Sequence, residues 1–217
     1  MKKVIIVGAG GHAAELNDYI YHDNTYKNST NKLEVVGFID DDKVNYNNYS
    51  FSAPFLGDIF SHEVKEDVFY LMGIANLKFR KKIVFDLIQK GAQFTSFIHP
   101  DAFISPSSRI GIGAVIAPNV NLGPNTDIGM FTMVNSRCSI GHDSKVGDFN
   151  FLSPNVCFSG NTEVGKENLF GINSATIPGI KVGNGNKIMA GMVLDRNVGE
   201  NEVVFFRFKE KLIAISK

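Results

Sequence analysis

His142 stands in the run Ile140-Gly141-His142-Asp143, two residues past an apolar position, where a side chain points outward and both solvent and a neighbouring subunit can reach it. An imidazole titrates near physiological pH, so one placed this way can collect a proton from a reacting group. Eighteen residues further on is Gly160, whose missing side chain leaves space and a backbone N–H beside the ring. A second constellation lies near the N-terminus. Gly8-Ala9-Gly10-Gly11-His12 follows an apolar run at 4–7 and precedes a stretch with helical spacing through Ala13, Leu16 and Ile20. A strand, a glycine turn and a helix start bring backbone N–H groups close to phosphate oxygens. A second apolar run, 33–39, ends in Asp40-Asp41-Asp42, and carboxylates at that end of a strand accept hydrogen bonds from ribose hydroxyls or a base. Gly8, Gly10 and Ala13 satisfy G-x-G-x-x-A, a pattern that also serves packing alone.

The elements that must position these residues fall into two groups. From Ile98 an apolar residue recurs every six positions: Ile104, Ile110, Ile116, Leu122, Ile128, Val134, Ile140, Val146, Leu152, Phe158, Val164, Phe170, then Thr176 as the one polar member, Val182, Ile188 and Leu194. Helices repeat near 3.6 residues and isolated strands near 2, so this period fits neither. It fits a parallel β-helix, in which each flat side of a coil turns one apolar residue inward per hexapeptide and coils stack at roughly 4.8 Å. Three hexapeptides make a triangular coil, and residues 98–199 hold between five and six coils. Gly111, Gly123, Gly129, Gly141, Gly147, Gly165, Gly171 and Gly183 follow the apolar position and are expected to let the chain turn its corners. Residues 1–97 read as a small α/β, Rossmann-like domain with further strands at 68–72 and 94–98, a helix at 76–90 and a surface loop at 41–54. It is short for a six-stranded dinucleotide fold, and a solenoid rather than a catalytic domain follows, which disfavours an NAD-linked dehydrogenase. Residues 200–217 form a tail.

Lys plus Arg and Asp plus Glu are equal at 22 each, so no global charge favours nucleic acid or an anionic membrane surface. The chain starts directly in a strand, without a signal-type segment or an apolar run of membrane length, which makes a cytoplasmic protein the expectation. Cys138 and Cys157 are too far apart for a C-x-x-C motif and read as buried small residues, and no metal is expected. His22, His62 and His99 read as structural or merely exposed, and Arg80-Lys81-Lys82 as an exposed helix face.

The combination of Gly8-Ala9-Gly10-Gly11-His12, Ile39-Asp40-Asp41, Phe79-Arg80-Lys81-Lys82, Ile98-His99-Pro100, Ile140-Gly141-His142-Asp143 and Phe170-Gly171-Ile172-Asn173-Ser174 resembles the bacterial sugar acetyltransferases of the PglD and NeuD type. The hexapeptide solenoid resembles the left-handed β-helix acyltransferases. The resemblance implies an acetyl-CoA-dependent enzyme acting on a nucleotide-linked, UDP-type 4-amino sugar or on hydroxyls of sialic acid, as a homotrimer with sites between subunits. It also implies His142 as general base, Asp143 as the carboxylate that orients it, Gly160 N–H as oxyanion donor and Asn135 near the reacting amine. Gly10, Gly11, His12, Asp40, Asp41 and Ala75 fall where such proteins hold nucleotide and sugar, and Ile172 and Ala190 where they line the pantetheine groove. Two departures are visible. Phe151 replaces a second histidine that contacts acetyl-CoA in bacillosamine-pathway members, and the chain ends in Val203-Val204-Phe205-Phe206-Arg207-Phe208-Lys209 instead of a Gly-x-Pro-Ala-Lys-like turn. Arg207 or Lys209 either meets a CoA phosphate or is a solvated charge. Three functions follow: an N-acetyltransferase, a sugar O-acetyltransferase, or a nucleotide-sugar-binding scaffold without chemistry.

Overall fold

The computed structural model describes residues 1–27 and 32–206, so Arg207 and Lys209 lie outside the described residues. Strand β1 (Lys2–Val7) buries Val4 to Val7 completely, as expected of a strand covered on both faces. It pairs in parallel with β2 (Leu33–Ile39) on one side and β3 (Phe69–Met72) on the other, and β3 pairs in parallel with β4 (Gln93–Phe94). The order β2-β1-β3-β4 reverses direction between β1 and β3. Open α/β sheets place their ligand crevice at such a switch point, outside the carboxyl ends of the strands. Helices α1 (Gly11–Tyr26) and α3 (Leu77–Gln89) connect the strands. The segment at 41–54 is not all loop: Asp42 Oδ1 accepts from Val44 N at 2.9 Å and caps a single helical turn, α2 (Lys43–Asn47).

Strands of two residues then build a parallel β-solenoid from β5 (Phe97–Ile98) to β22 (Val203–Val204). Up to β21 each pairs with the strand eighteen residues away, as Met133↔Phe151, Ser139↔Cys157 and Lys145↔Glu163 show, while the last coil is two residues shorter and pairs Lys187 with Val203. Three faces result: a first carrying β5 and β22, a second starting at β6 (Phe103–Ile104) and a third starting at β7 (Arg109–Ile110). The six-residue apolar positions form one continuous core from Ile116 to Leu194. The first coil departs from that expectation, because among the described residues nothing stacks on its outer side: Ile98 is exposed and Ile104 and Ile110 are half-buried.

The glycines play a different part from the one expected. Left-handed φ angles fall two residues later, at Asn119, Asn125, Asp143, Asn155, Asn161 and their equivalents, where Asn and Asp tolerate them best. At Gly111 a Cβ would lie 2.6 Å from the backbone N of Met130 in the next coil, so glycine there permits close stacking. Cys157 is exposed rather than buried, because strand alternation turns it outward when Phe158 fills the core. Cys138 is buried, and burial pushes its thiol up to about 12, which leaves it no nucleophile.

The α/β domain seats on the first face. The outward residues Phe97, Val115 and Met133 share a core with Ala13, Leu16 and Ile20 of α1. Helix α3 packs beside them through Phe131 and Phe149, whose rings stack at 5.1 Å. Arg80 corrects the expectation of an exposed basic face. It shares the inner face of α3 with Val84 and Leu87, is 1% exposed, and donates from Nη2 to the carbonyl of Phe131 at 2.7 Å. Burial lowers its guanidinium to about 10, which still leaves it charged at neutral pH. Arg80→Ala opens a cavity and frees a carbonyl between the domains, and is expected to cost about 3 kcal/mol in denaturant unfolding. Arg80→Met, which refills the volume, should recover part of that loss; an unchanged midpoint for the alanine variant would remove Arg80 from the domain contact. Among the described residues no helix is long and apolar enough to cross a membrane.

Candidate active site

Helix α1 starts at the switch point, directly after the turn. Its N-cap is Gly10, which offers no side chain, so the first N–H groups of the helix are available to an anion. Gly8, at φ +101°, turns the chain from β1 into this position. Asp40 locks the turn: Oδ2 accepts from Ala9 N at 2.7 Å, and Oδ1 accepts from Asp42 N at 2.9 Å and from Asn45 Nδ2 at 3.1 Å. With three donors on it, this carboxylate shapes the loop more than it faces a ligand. Asp41 points elsewhere. It accepts from Ile59 N at 2.9 Å and lines a separate cavity with Phe60, Lys82 and Asp86.

A cleft of about 520 Å³ opens between the start of α1 and the solenoid. It joins Gly11, His12 and Ala75 to Asn135 and Phe151, five residues singled out in the sequence, with Glu15, Asp18, Tyr49 and Pro154 beside them. His12 has an Nε2 that no protein group satisfies among the described residues, while its Nδ1 lies 3.4 Å from Glu15. The hydrogen bond from His12 holds the Glu15 carboxyl below its ordinary value, so the cleft keeps a negative charge. Phe151 meets the His12 ring edge-on at 6.0 Å. Asn135 is buried and donates from Nδ2 to the carbonyl of Leu152 at 2.7 Å, which ties it to the coil. Glu15 and Asp18 were legible in principle, since they continue the Gly11 face of α1 at helical spacing. Tyr49 was not, because only tertiary folding brings its hydroxyl against Gly11.

His142 lies at the corner between the second and third faces. Its exposed imidazole holds Nδ1 2.8 Å from Asp143 Oδ2, and Asp143 Oδ1 accepts from Asn125 Nδ2 at 2.9 Å. Asn125, and then His142, hold the Asp143 carboxyl below its ordinary value. An ionised carboxylate can only accept, so the proton of the neutral ring sits on Nδ1 and Nε2 presents a bare lone pair. A Cβ at Gly160 would lie 2.6 Å from Nε2, so the reactive nitrogen faces this glycine. The Gly160 N–H has no acceptor among the described residues. That is a property of the register: the equivalent positions in other coils include Pro106, Pro124 and Pro178, where no N–H exists.

His142, Asp143 and Gly160 therefore come together, and so do the cleft residues, but the two groups occupy different corners of one chain. Ile172 and Ala190 are exposed and continue the corner of Asn135 and Pro154, not that of His142. Asn135 is thus not beside the imidazole within a single chain.

Residues 3–87 match the family described as the PglD N-terminal domain. The acetyltransferase domain of PglB from Neisseria gonorrhoeae FA1090, solved in complex with acetyl coenzyme A, superposes with a TM-score of 0.82 at 25% identity, over 93% of this chain and 95% of that one. PerB from Caulobacter crescentus, solved with CoA and GDP-perosamine, gives 0.80 at 23% identity over 94% and 93% of the two chains. WeeI from Acinetobacter baumannii AYE gives 0.78 at 22% over 94% and 96%. No curated protein matches the chain. Residues 3–87, with their parallel sheet and glycine turn, are similar to the PglD N-terminal domain, here joined to a parallel β-solenoid.

Proposed function

We propose that the chain is a cytoplasmic, acetyl-CoA-dependent N-acetyltransferase acting on the 4-amino group of a nucleotide-linked, UDP-type amino-deoxy sugar. The observation that carries this reading is the imidazole of His142 with a bare Nε2 turned toward Gly160, on a chain that is similar end to end to the PglB acetyltransferase domain. Nε2 takes the amine proton as the nitrogen attacks the thioester carbonyl, Asp143 stabilises the resulting imidazolium, and the Gly160 N–H steadies the oxyanion. The C–N bond forms, the C–S bond breaks, and the departing thiolate recovers the proton from Nε2. No acyl-enzyme is formed. Gly10, Gly11, His12 and Ala75 hold the nucleotide sugar at the helix start, with Asp40 fixing the turn. The corner of half-buried Pro154 and exposed Ile172 and Ala190 suits a pantetheine arm, and Phe151 replaces a polar contact to the coenzyme with an apolar one.

The separation of the two corners supports an assembly in which one copy brings its base to another copy's cleft, and we take that assembly to be a homotrimer. The two uncovered faces differ accordingly. Outward residues of the third face are Arg109, Asp127, Lys145, Glu163 and Lys181, an alternating ladder with Arg109–Asp127 at 2.6 Å and Lys181–Glu163 at 3.2 Å. Those of the second face are Phe103, Asn121, Ser139, Cys157, Ala175 and Val193, all uncharged and suited to burial against a second copy.

Thiol release from acetyl-CoA with UDP-, dTDP- and GDP-linked 4-amino sugars tests the reading. Turnover is expected with an amine acceptor and not with its hydroxyl analogue. The reverse preference would make the chain an O-acetyltransferase, and silence with every acceptor despite coenzyme binding would leave a scaffold.

A further inference from the structure

His22, near the end of α1, and His99 and Asp101, in the first turn of the solenoid, converge from the two domains. One potential ligand atom from each lies within 4.8 Å of the others. The His22 and His99 rings stack at 5.6 Å with 22° between their planes. His22 Nδ1 is shut off from solvent and has no hydrogen-bond partner among the described residues. His99 is 2% exposed, and its Nδ1 accepts from the backbone N of Asp101 at 3.1 Å. That contact fixes the neutral tautomer: Nδ1 turns its lone pair to the Asp101 side, 3.9 Å from Oδ2, and Nε2 carries the hydrogen. Asp101 Oδ1 meanwhile holds Lys27 Nζ at 2.7 Å, so a cation already sits at this carboxylate.

We propose that His22, His99 and Asp101 bind one divalent transition cation of the zinc class, which ties α1 to the first coil of the solenoid. Two imidazoles and a carboxylate favour Zn²⁺, Ni²⁺ or Co²⁺ over Mg²⁺ or Ca²⁺. Zinc bonds of about 2.0–2.1 Å place tetrahedral ligands on the order of 3.4 Å apart, so the three side chains close on the ion by small rotations, with His99 Nδ1 exchanging the Asp101 N–H for the metal. The surrounding charge agrees: beside the two rings stand Asp23, Asp101 and Lys27, two carboxylates against one ammonium. Lys27 is then the ion's competitor for Asp101. The site joins the far end of the helix that lines the cleft to the coil left uncovered at its outer side, so its role is structural and independent of the proposed acetyl transfer.

The test uses tag-free, chelator-stripped, full-length protein titrated with Zn²⁺ in a calorimeter, and with Co²⁺ for the visible d–d bands of a tetrahedral site. One ion per chain with a Kd of about 1 μM or tighter is expected. His22→Gln and Asp101→Asn should each weaken binding at least about tenfold. Lys27→Met should tighten it, a change that a purely structural ion pair would not produce. Absence of uptake by the wild type, uptake unchanged in both ligand variants, or weaker binding by Lys27→Met would each overturn the assignment. His99 is left intact because its burial makes it part of the domain contact.

Discussion

Replacing His142 with alanine is expected to lower turnover about 10³-fold while leaving the unfolding midpoint, the oligomer mass and acetyl-CoA affinity where they were. The separation of chemistry from stability follows from the position of the ring. Its side chain is exposed, and its hydrogen bond is to Asp143, itself exposed and held independently by Asn125. Surface substitutions of this kind change stability by no more than about 0.5 kcal/mol. The loss therefore reports the proton transfer. Burst-free kinetics should accompany it in the wild type, since direct attack on the thioester stores no acyl group on the protein. A variant that turns over within about threefold of the wild type would remove His142 from the chemistry, because general bases contribute far more than that.

The solenoid was legible because its signal is periodic: the apolar residue every six positions states the coil length and the three faces, and with them the eighteen-residue register that sets Gly160 against His142. The helix expected at 76–90 and the helix observed at Leu77–Gln89 agree for a similar reason, since Asn76 caps it and the apolar spacing is local. What the sequence did not disclose depends on contacts between distant segments. Arg80 reads as one of three basic residues until the inner face of α3 meets Phe131. Asp40 and Asp41 read alike, yet neighbours at the end of a strand point to opposite sides, so one locks the glycine turn and the other lines a different cavity. Likewise the cleft and the imidazole were expected in one site. Hexapeptide counting fixes the corner each belongs to, but the docking of the α/β domain decides which corner carries the cleft.

Gly160→Ala tests the geometry of the base without removing it, and is expected to lower turnover about 10²-fold in a folded protein. The added Cβ would stand 2.6 Å from Nε2 and 2.7 Å from Cε1 of His142, closer than real side chains approach. Gly160 has no left-handed φ, so alanine meets no backbone strain there, and its N–H is retained. The exposed imidazole is the part that yields. As it swings away it leaves Asp143, and with that bond goes the preference for a proton on Nδ1 and a free Nε2. Gly141→Ala supplies the contrast, because its Cβ would strike the backbone N of Gly160 at 2.6 Å, and this change should lower the unfolding midpoint. The decisive measurement is the double variant. If alanine at 160 acts only by displacing the ring, His142→Ala with Gly160→Ala is no slower than His142→Ala alone, because the two changes remove one function. A further loss in the double variant would mean that Gly160 serves the reaction on its own, through the space above it; full activity of the single variant would mean that the productive imidazole faces another way.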